Sequence, residues 1–410
     1  MLRAGFARER ITPESRSLSL VGYDFRNQDG LRGNEGVLDD LYLRCLYIED
    51  SARATGLIIL SIDICVVLND YARVLREEIA LRLGLEVMNV VVHATHPHSA
   101  PVHRLKDSTD LSNVEPLATG GSVKEEHTWG DTVRELAVTA ALRAQGHTVP
   151  VEVLHAEGLS ALGYTRRVPD GRGGVSMCWN RQSRPDLAPT PSPDPILSLL
   201  VLRPRGGGSD FIVWSTGVHP VTLGKTSRMI SADWPGAATA AISAQLGSER
   251  VMFLQGVSGE VHPQLATGDT PGDLQHLAAC AAAEVNLLYR TLRRSVSPRS
   301  GADMLAVRGA VAALESTAPE LTGIRLGGLA ILATPFELFA SVSASLRAEL
   351  EYPVMPLNLT NGWLGYVPDA AAWVTGNYEV DVARSMTRVP GDTDVLVSSL
   401  KLICEALFSF

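Results

Sequence analysis

The sequence predicts an α/β protein: mixed, largely parallel twisted sheets covered by helices. Three observations carry this. Short apolar runs alternate with amphipathic stretches along the 410 residues. One such run, Leu57-Ile58-Ile59-Leu60-Ser61-Ile62-Asp63, is followed by a helical stripe and then by a second apolar run at Val90, a βαβ-like order. A composition of 45% hydrophobic and 20% charged residues suits an ordinary globular chain with a large core.

In order along the chain, Leu41 to Ile48 reads as a strand, as does the run ending in Asp63. Tyr71 to Leu83 reads as a helix, with Leu75, Ile79 and Leu83 on one stripe and Gly84 as its stop. The polar stretch from Leu105 to Gly130 reads as a long loop, with a helix starting near Asp131. Val151 to Ala156 and Leu197 to Leu202 are strands around a proline-rich loop at 183–195. A hairpin through Arg205-Gly206-Gly207-Gly208-Ser209 leads into Phe211 to Trp214. A helix over Ala237 to Leu246, a strand at Val251 and a long helix over Asp273 to Arg293 follow. The chain ends with a strand at Leu329, a helix from about Leu338 and a helix through Leu396, Leu400, Ile403 and Leu407. With no linker and no fixed repeat, residues 1–410 are expected to form one large domain.

A net charge of −9 without a basic cluster argues against a nucleic-acid partner. The N-terminus lacks an apolar leader, and no apolar span suits a bilayer, so stable membrane insertion is not expected. Five scattered cysteines read as buried free thiols. Together these favour the cytoplasm and a small-molecule substrate; homo-oligomerisation stays open.

Chemistry concentrates where apolar runs stop. Val90 to Pro101 holds three of the ten histidines. In an extended segment His96 and His98 point one way and His93 the other, with Pro97 fixing the backbone between them. Asp63, His96 with His98, His219 in Val218-His219-Pro220, and Glu337 in Pro335-Phe336-Glu337 all follow apolar runs. Ligands bind beyond the carboxyl ends of strands in open α/β sheets. Two histidines and a glutamate make a three-ligand catalytic zinc set with an open position for water. Asp63 suits either the support of a ligand histidine or a helix cap. Asp233 reads as a helix start, Glu260 as a turn residue and Cys178 as a buried thiol. Isolated histidines (His93, His103, His127, His147, His155, His276) read as structural.

Several segments together resemble the catalytic domain of the neutral/alkaline (non-lysosomal) ceramidase family. They are Ile11-Thr12-Pro13, Gly22-Tyr23, Asp40-Leu41-Tyr42 with Arg44, Ser61-Ile62-Asp63, Ala94-Thr95-His96-Pro97-His98-Ser99, Val218-His219-Pro220, Pro335-Phe336-Glu337 and Leu359-Thr360-Asn361, in the family's order. The resemblance implies one zinc ion per chain, held by His96, His219, Glu337 and Tyr366. It places His98 near the reacting amide, Arg166 in the pocket and Tyr378 as a hydrogen-bond donor to an oxyanion. Where the family carries a serine in Gly-x-x-Ser-Pro-Asn, this chain has Gly259-Glu260-Val261-His262-Pro263-Gln264, with His262 at the serine position. His262 could serve as an acid–base, a substrate contact or an extra ligand. The resemblance stops short of the family's C-terminal β-sandwich and secretion signal, which points to a soluble substrate rather than ceramide.

The implied function is zinc-dependent hydrolysis of an amide or ester through a metal-activated water, with His98 or His262 moving the proton and Tyr378 or Arg166 steadying the oxyanion. Two other classes fit the residues: a non-catalytic ligand-binding relative, and a metal-dependent lyase or isomerase on a polar, sugar-like substrate.

Overall fold

The computed structural model describes residues 1–23, 33–105, 122–268, 270–294, 304–314 and 317–409. Eight strands form the larger sheet: β1 (Leu2–Arg10), β2 (Tyr42–Asp50), β3 (Thr55–Ile62), β4 (Val90–Ala94), β5 (Val149–Leu159), β6 (Ile196–Pro204), β7 (Phe211–Thr216) and β8 (Val251–Gln255). Their spatial order is β8-β7-β6-β5-β1-β2-β3-β4. A second sheet, in sequential order, contains β9 (Leu305–Val311), β10 (Glu320–Leu326), β11 (Leu329–Ala333) and β12 (Val354–Leu357).

The α/β class and the mixed sheet are as expected, but the pairing is not largely parallel. In the larger sheet only β3 with β4 and β7 with β8 run parallel; the other neighbours are antiparallel. Only the β3–helix–β4 crossover is evident from the local pattern, and it is one of the two parallel pairs of this sheet. Most other connections are hairpins or long excursions, and these permit antiparallel neighbours.

Side-chain alternation builds the layers. In β6, Leu200 and Leu202 join the cluster that includes Ile324, Leu326 and Ile331 of the second sheet, while Leu197, Leu199 and Val201 join the cluster that includes residues of the helices Asp233–Leu246 and Pro271–Arg294. The two sheets thus share one apolar seam, and helices cover both outer faces. On one half of the larger sheet lie α1 (Asn69–Leu83) and α2 (Val123–Gly146); on the other half lie α3 (Asp233–Leu246) and α4 (Pro271–Arg294). Against the second sheet pack α5 (Ala340–Glu349) and α8 (Asp392–Phe408), with the short α6 (Ala370–Thr375) and α7 (Tyr378–Ser385) nearby. Leu396, Leu400, Ile403 and Leu407 are the buried stripe of α8. Gly84 ends α1 in the left-handed conformation (φ 69°), its N–H bonded to Ala80 O.

Helix α2 starts at Val123, not near Asp131, so the expected loop is shorter; its residues 106–121 lie outside the described residues. Glu125 and Glu126 favour the helix N-terminus. Glu126 also bonds Arg104 at 2.7 Å, and Trp129 donates to Ile11 O at 2.7 Å. These tertiary contacts are invisible to local pattern. Cys45, Cys65, Cys178 and Cys404 are buried free thiols, whereas Cys280 is exposed.

The two edges of the larger sheet curl toward each other. Gln255 N at the end of β8 donates to His93 Nε2 on β4 at 2.9 Å, and Ser61 Oγ donates to Phe253 O at 2.7 Å. This draws the carboxyl ends of β4 and β7 together, and bridges from His93 to Thr360 and from Gly256 to Leu357, with Thr360 N donating to Thr334 O, bring the end of β11 to the same place. Each of these strands has a parallel neighbour, the setting in which strand ends form ligand sites.

Candidate metal centre

His96 and His98 do converge and His93 does turn away, but strand alternation is not the reason. β4 ends at Ala94, and His96 takes a left-handed backbone (φ 74°). That conformation costs a non-glycine residue on the order of 1–2 kcal/mol, so its surroundings must enforce it. Thr95 N donates to Ile62 O and His96 N to Ile64 O, both at 3.0 Å. Thr95 Oγ1 donates to Asp63 Oδ1 at 3.0 Å. Asp63 also accepts from Tyr42 N at 2.8 Å and pairs with Arg44 at 3.1 Å. Asp63 therefore acts on His96 through Thr95; it neither touches a ligand histidine nor caps a helix.

His219 lies just beyond β7. Its N–H bonds Val261 O at 3.0 Å, and its carbonyl accepts from Trp234 Nε1 at 3.1 Å. Asp233, the first residue of α3, accepts from the N–H groups of Thr222 and Leu223, both at 3.1 Å. The predicted helix start thus also holds the loop after His219. Glu337 opens a two-residue strand, Glu337–Leu338, that pairs in parallel with Tyr366–Val367; Glu337 and Tyr366 are direct register partners.

These elements bring three ligand-type side chains together in the interior. Glu337 Oε2 is 3.2 Å from His219 Nε2 and 3.5 Å from His96 Nε2. Candidate ligand atoms of the three all lie within 4.8 Å of one another. Donors about 2.1 Å from a tetrahedral zinc are separated by about 3.4 Å. The opposite ring nitrogens are committed elsewhere: His96 Nδ1 donates to Cys65 O at 2.5 Å and His219 Nδ1 to Ser258 O at 2.7 Å. This fixes the tautomer that leaves each Nε2 with its lone pair toward the cluster. Trp363 Nε1 donates to Glu337 Oε1 at 2.9 Å, leaving Oε2 for the centre.

The electrostatics fit a cation. Burial works to raise the Glu337 pKa, but His96 and His219 outweigh it and hold the carboxyl well below its ordinary value. Burial likewise opposes charge on His96, yet Cys65 and Glu337 push its pKa well above normal. Burial lowers His219 to about 4. A buried carboxylate here demands positive charge, which a proton on His96 or a metal ion can supply. Tyrosine, glutamate and two histidines are all ligand types that zinc accepts or tolerates.

His98 stands beside this set, its Nε2 3.3 Å from His96 Nε2 and its ring 5.0 Å from that of Tyr23. Gly22 makes room for it: with φ 106°, an added Cβ would lie 2.4 Å from His98 Cγ.

Behind the set lies a second charged cluster. Arg166 donates Nε to Glu379 at 2.7 Å, Nη1 to His262 Nε2 at 2.8 Å, and Nη2 to Gly259 O at 2.7 Å and to Tyr366 OH at 3.4 Å. Arg167 completes the triad, with Nη1 2.5 Å from Glu379 Oε2. His262 donates Nδ1 to Trp179 O at 2.9 Å. Burial, then the charges of Arg166 and His219, keep His262 well below its ordinary pKa. His262 is thus a neutral imidazole with both nitrogens engaged. The guanidinium of Arg166 lies 5.0 Å from the Trp179 ring centroid, 5.4 Å from that of Tyr378 and 5.8 Å from that of Tyr366.

Glu260 is not an exposed turn residue: it is buried and accepts from Ala340 N at 3.0 Å, satisfying the start of α5. Three residues of the site escaped sequence reasoning. Trp363 is not a ligand type. Glu379 is signalled only by the Arg166-Arg167 pair, whose burial needs a counter-charge. Trp179 contributes a carbonyl and a ring face, which no motif encodes. His93 and His103 are buried outside the ligand set, His93 accepting from Gln255 N, and His147 caps α2.

No protein-family model and no curated protein sequence matches the chain. Solved structures do match in shape. A neutral ceramidase from Pseudomonas aeruginosa aligns over 99% of this chain and 74% of its own, at 16% identity and a TM-score of 0.77. A ceramidase complexed with C2 aligns over 99% of this chain and 75% of its own, also at 16% identity and a TM-score of 0.77. The chain has a neutral-ceramidase-like fold.

Proposed function

We propose that the chain is a zinc-dependent hydrolase of an amide or ester bond, acting on a soluble substrate. The observation that carries this reading is the buried His96, His219 and Glu337 set, with both Nδ1 atoms already committed to backbone carbonyls. The similar structures are named as ceramidases, which cleave an amide, and the strand ends of this chain bring together two histidines and a glutamate of the kind that hold a catalytic zinc.

His96, His219 and Glu337 would hold the ion, with Tyr366 beside Glu337 as a further donor. Bound zinc acidifies water and polarises a carbonyl. The chain's own residues do the rest. His98, next to His96 and only half-buried, is the group placed to carry a proton to the leaving nitrogen or oxygen. Tyr378 reaches solvent at the rim and suits a carbonyl oxygen that gains charge. Arg166 is committed to Glu379, Gly259, Tyr366 and His262, so its part is to hold Tyr366 and Tyr378 in place. His262 fixes the guanidinium rather than carrying the proton.

Elemental analysis of purified protein and of His219→Ala tests this. About one zinc per chain, lost in the folded variant, together with turnover of an amide or ester in a substrate panel, is the expected result. Zinc binding without turnover of any panel member would move the reading to a ligand-binding relative.

A further inference from the structure

Among the described residues, Trp179 and Tyr378 are the two aromatics in the set of solvent-exposed large side chains, 39% and 37% exposed. They are also in contact, with ring centroids 5.0 Å apart at 85°. Both stand on the charged cluster behind the ligand set: each ring faces the Arg166 guanidinium, and Tyr378 lies 5.9 Å from Tyr366. Exposed aromatic surface is costly to hydrate and more often marks binding than chance.

This surface is held rigidly. Trp179 O accepts from His262, Cys178 N donates to Arg166 O at 2.7 Å, and Tyr378 N donates to Asn377 Oδ1 at 2.8 Å. A rigid ring loses little entropy when a ligand settles on it. The adjoining rim is polar. Gln182 Nε2 donates to Gln264 O at 2.8 Å, Asn180 Oδ1 accepts from Gln182 N at 2.8 Å, and Arg181 pairs with Gln264. A flexible acyl chain wants an enclosed apolar slot. The exposed indole of Trp179, with the Tyr378 ring standing edge-on beside it and amides along its border, suits a pyranose, whose C–H face stacks while its hydroxyls bond the rim.

We infer that Trp179 and Tyr378 form a sugar subsite, and that the substrate is an N-acylated amino sugar whose ring stacks on Trp179. This rests on the amide-hydrolase reading above. In the reaction, the oxygen of water bonds to the acyl carbon and the C–N bond breaks with its electron pair on nitrogen. Nitrogen takes both protons of that water, so a carboxylate and the amino sugar, as its ammonium form, leave.

The test separates binding from turnover. N,N′-diacetylchitobiose is titrated into metal-free full-length protein by calorimetry, alongside Trp179→Ala and Trp179→Phe. Saturable binding is expected, weakened at least tenfold in Trp179→Ala and largely recovered in Trp179→Phe. No binding by the parent protein, or equal affinity in Trp179→Ala, overturns the subsite. Zinc-loaded protein is then assayed for acetate release from the same sugar and for octanoate release from N-octanoylethanolamine. Sugar binding with acetate release supports both readings. Sugar binding without release of either acid keeps the subsite and overturns the hydrolase. Octanoate release without sugar binding keeps the hydrolase and overturns the sugar class.

Discussion

The indole N–H of Trp363 donates to Glu337 Oε1 at 2.9 Å, while Oε2 of the same carboxylate faces His219 and His96. One hydrogen bond thus decides which oxygen is free for an ion. Trp363→Phe keeps the ring bulk and removes that donor. Supporting hydrogen bonds of this kind change metal affinity by about 10–100-fold. We expect zinc affinity, measured by chelator competition, to fall within that range with little change in thermal midpoint. An unchanged affinity would show that Glu337 is oriented by its strand pairing with Tyr366 alone.

Gly22 and His98 make a separate prediction. The φ of 106° disfavours any side chain, and an alanine Cβ would fall 2.4 Å from the imidazole. Gly22→Ala should push His98 away from His96 while leaving His96, His219 and Glu337 in place. Zinc content should be retained and turnover of the amide found in the panel should fall at least tenfold. Loss of zinc in this variant would instead assign His98 to the ion.

Much of this cluster is legible because its candidate ligands, His96, His219 and Glu337, lie two to four residues past apolar strands, where Ala94, Thr216 and Ala333 end β4, β7 and β11. The pairing directions were not legible. The antiparallel neighbours of β1, β5 and β6 are set by long-range register, and their hydrophobic alternation is the same in either direction. His96 shows the limit at single-residue scale: its convergence with His98 was expected from an extended backbone but arises from a left-handed one, enforced by Ile62, Ile64 and Asp63. Trp363, Glu379 and Trp179 were hidden because they serve other side chains, a role that leaves no motif.

Glu379 sits fully buried between Arg166 and Arg167, so it neutralises one of two interior cations. Glu379→Gln preserves shape and removes the charge. Breaking a buried ion pair by removing one partner costs about 3–5 kcal/mol. The free energy of urea unfolding should fall by an amount of that order. Because Glu379 follows Tyr378 at the start of α7, the change should also loosen the rim, seen as faster amide exchange over 375–385. A loss below about 1 kcal/mol, the scale of exposed pairs, would show that the triad is not a structural clamp.

Buried neutral histidines outside the ligand set should contribute to the loss of stability in acid. Burial lowers the pKa of His93 and His103 to about 3 and that of His155 to about 4. Each stays neutral when folded but takes a proton near its ordinary value of 6.5 when unfolded. Between these values the unfolded chain binds more protons, so stability rises with pH. The contribution is complete above about pH 6.5 and is lost as pH falls toward 4 and below. Each such group adds a slope of about 1.4 kcal/mol per pH unit. His103 offers the cleanest test: it is buried edge-on against Tyr71 at 4.5 Å, and its Nε2 has no hydrogen-bond partner among the described residues. His103→Phe should keep that packing and remove one proton from the acid limb. Urea unfolding measured from pH 4 to 7 should show a shallower slope in the variant, by about one proton. An unchanged slope would mean that His103 is not neutral in the folded protein or does not titrate in the unfolded one.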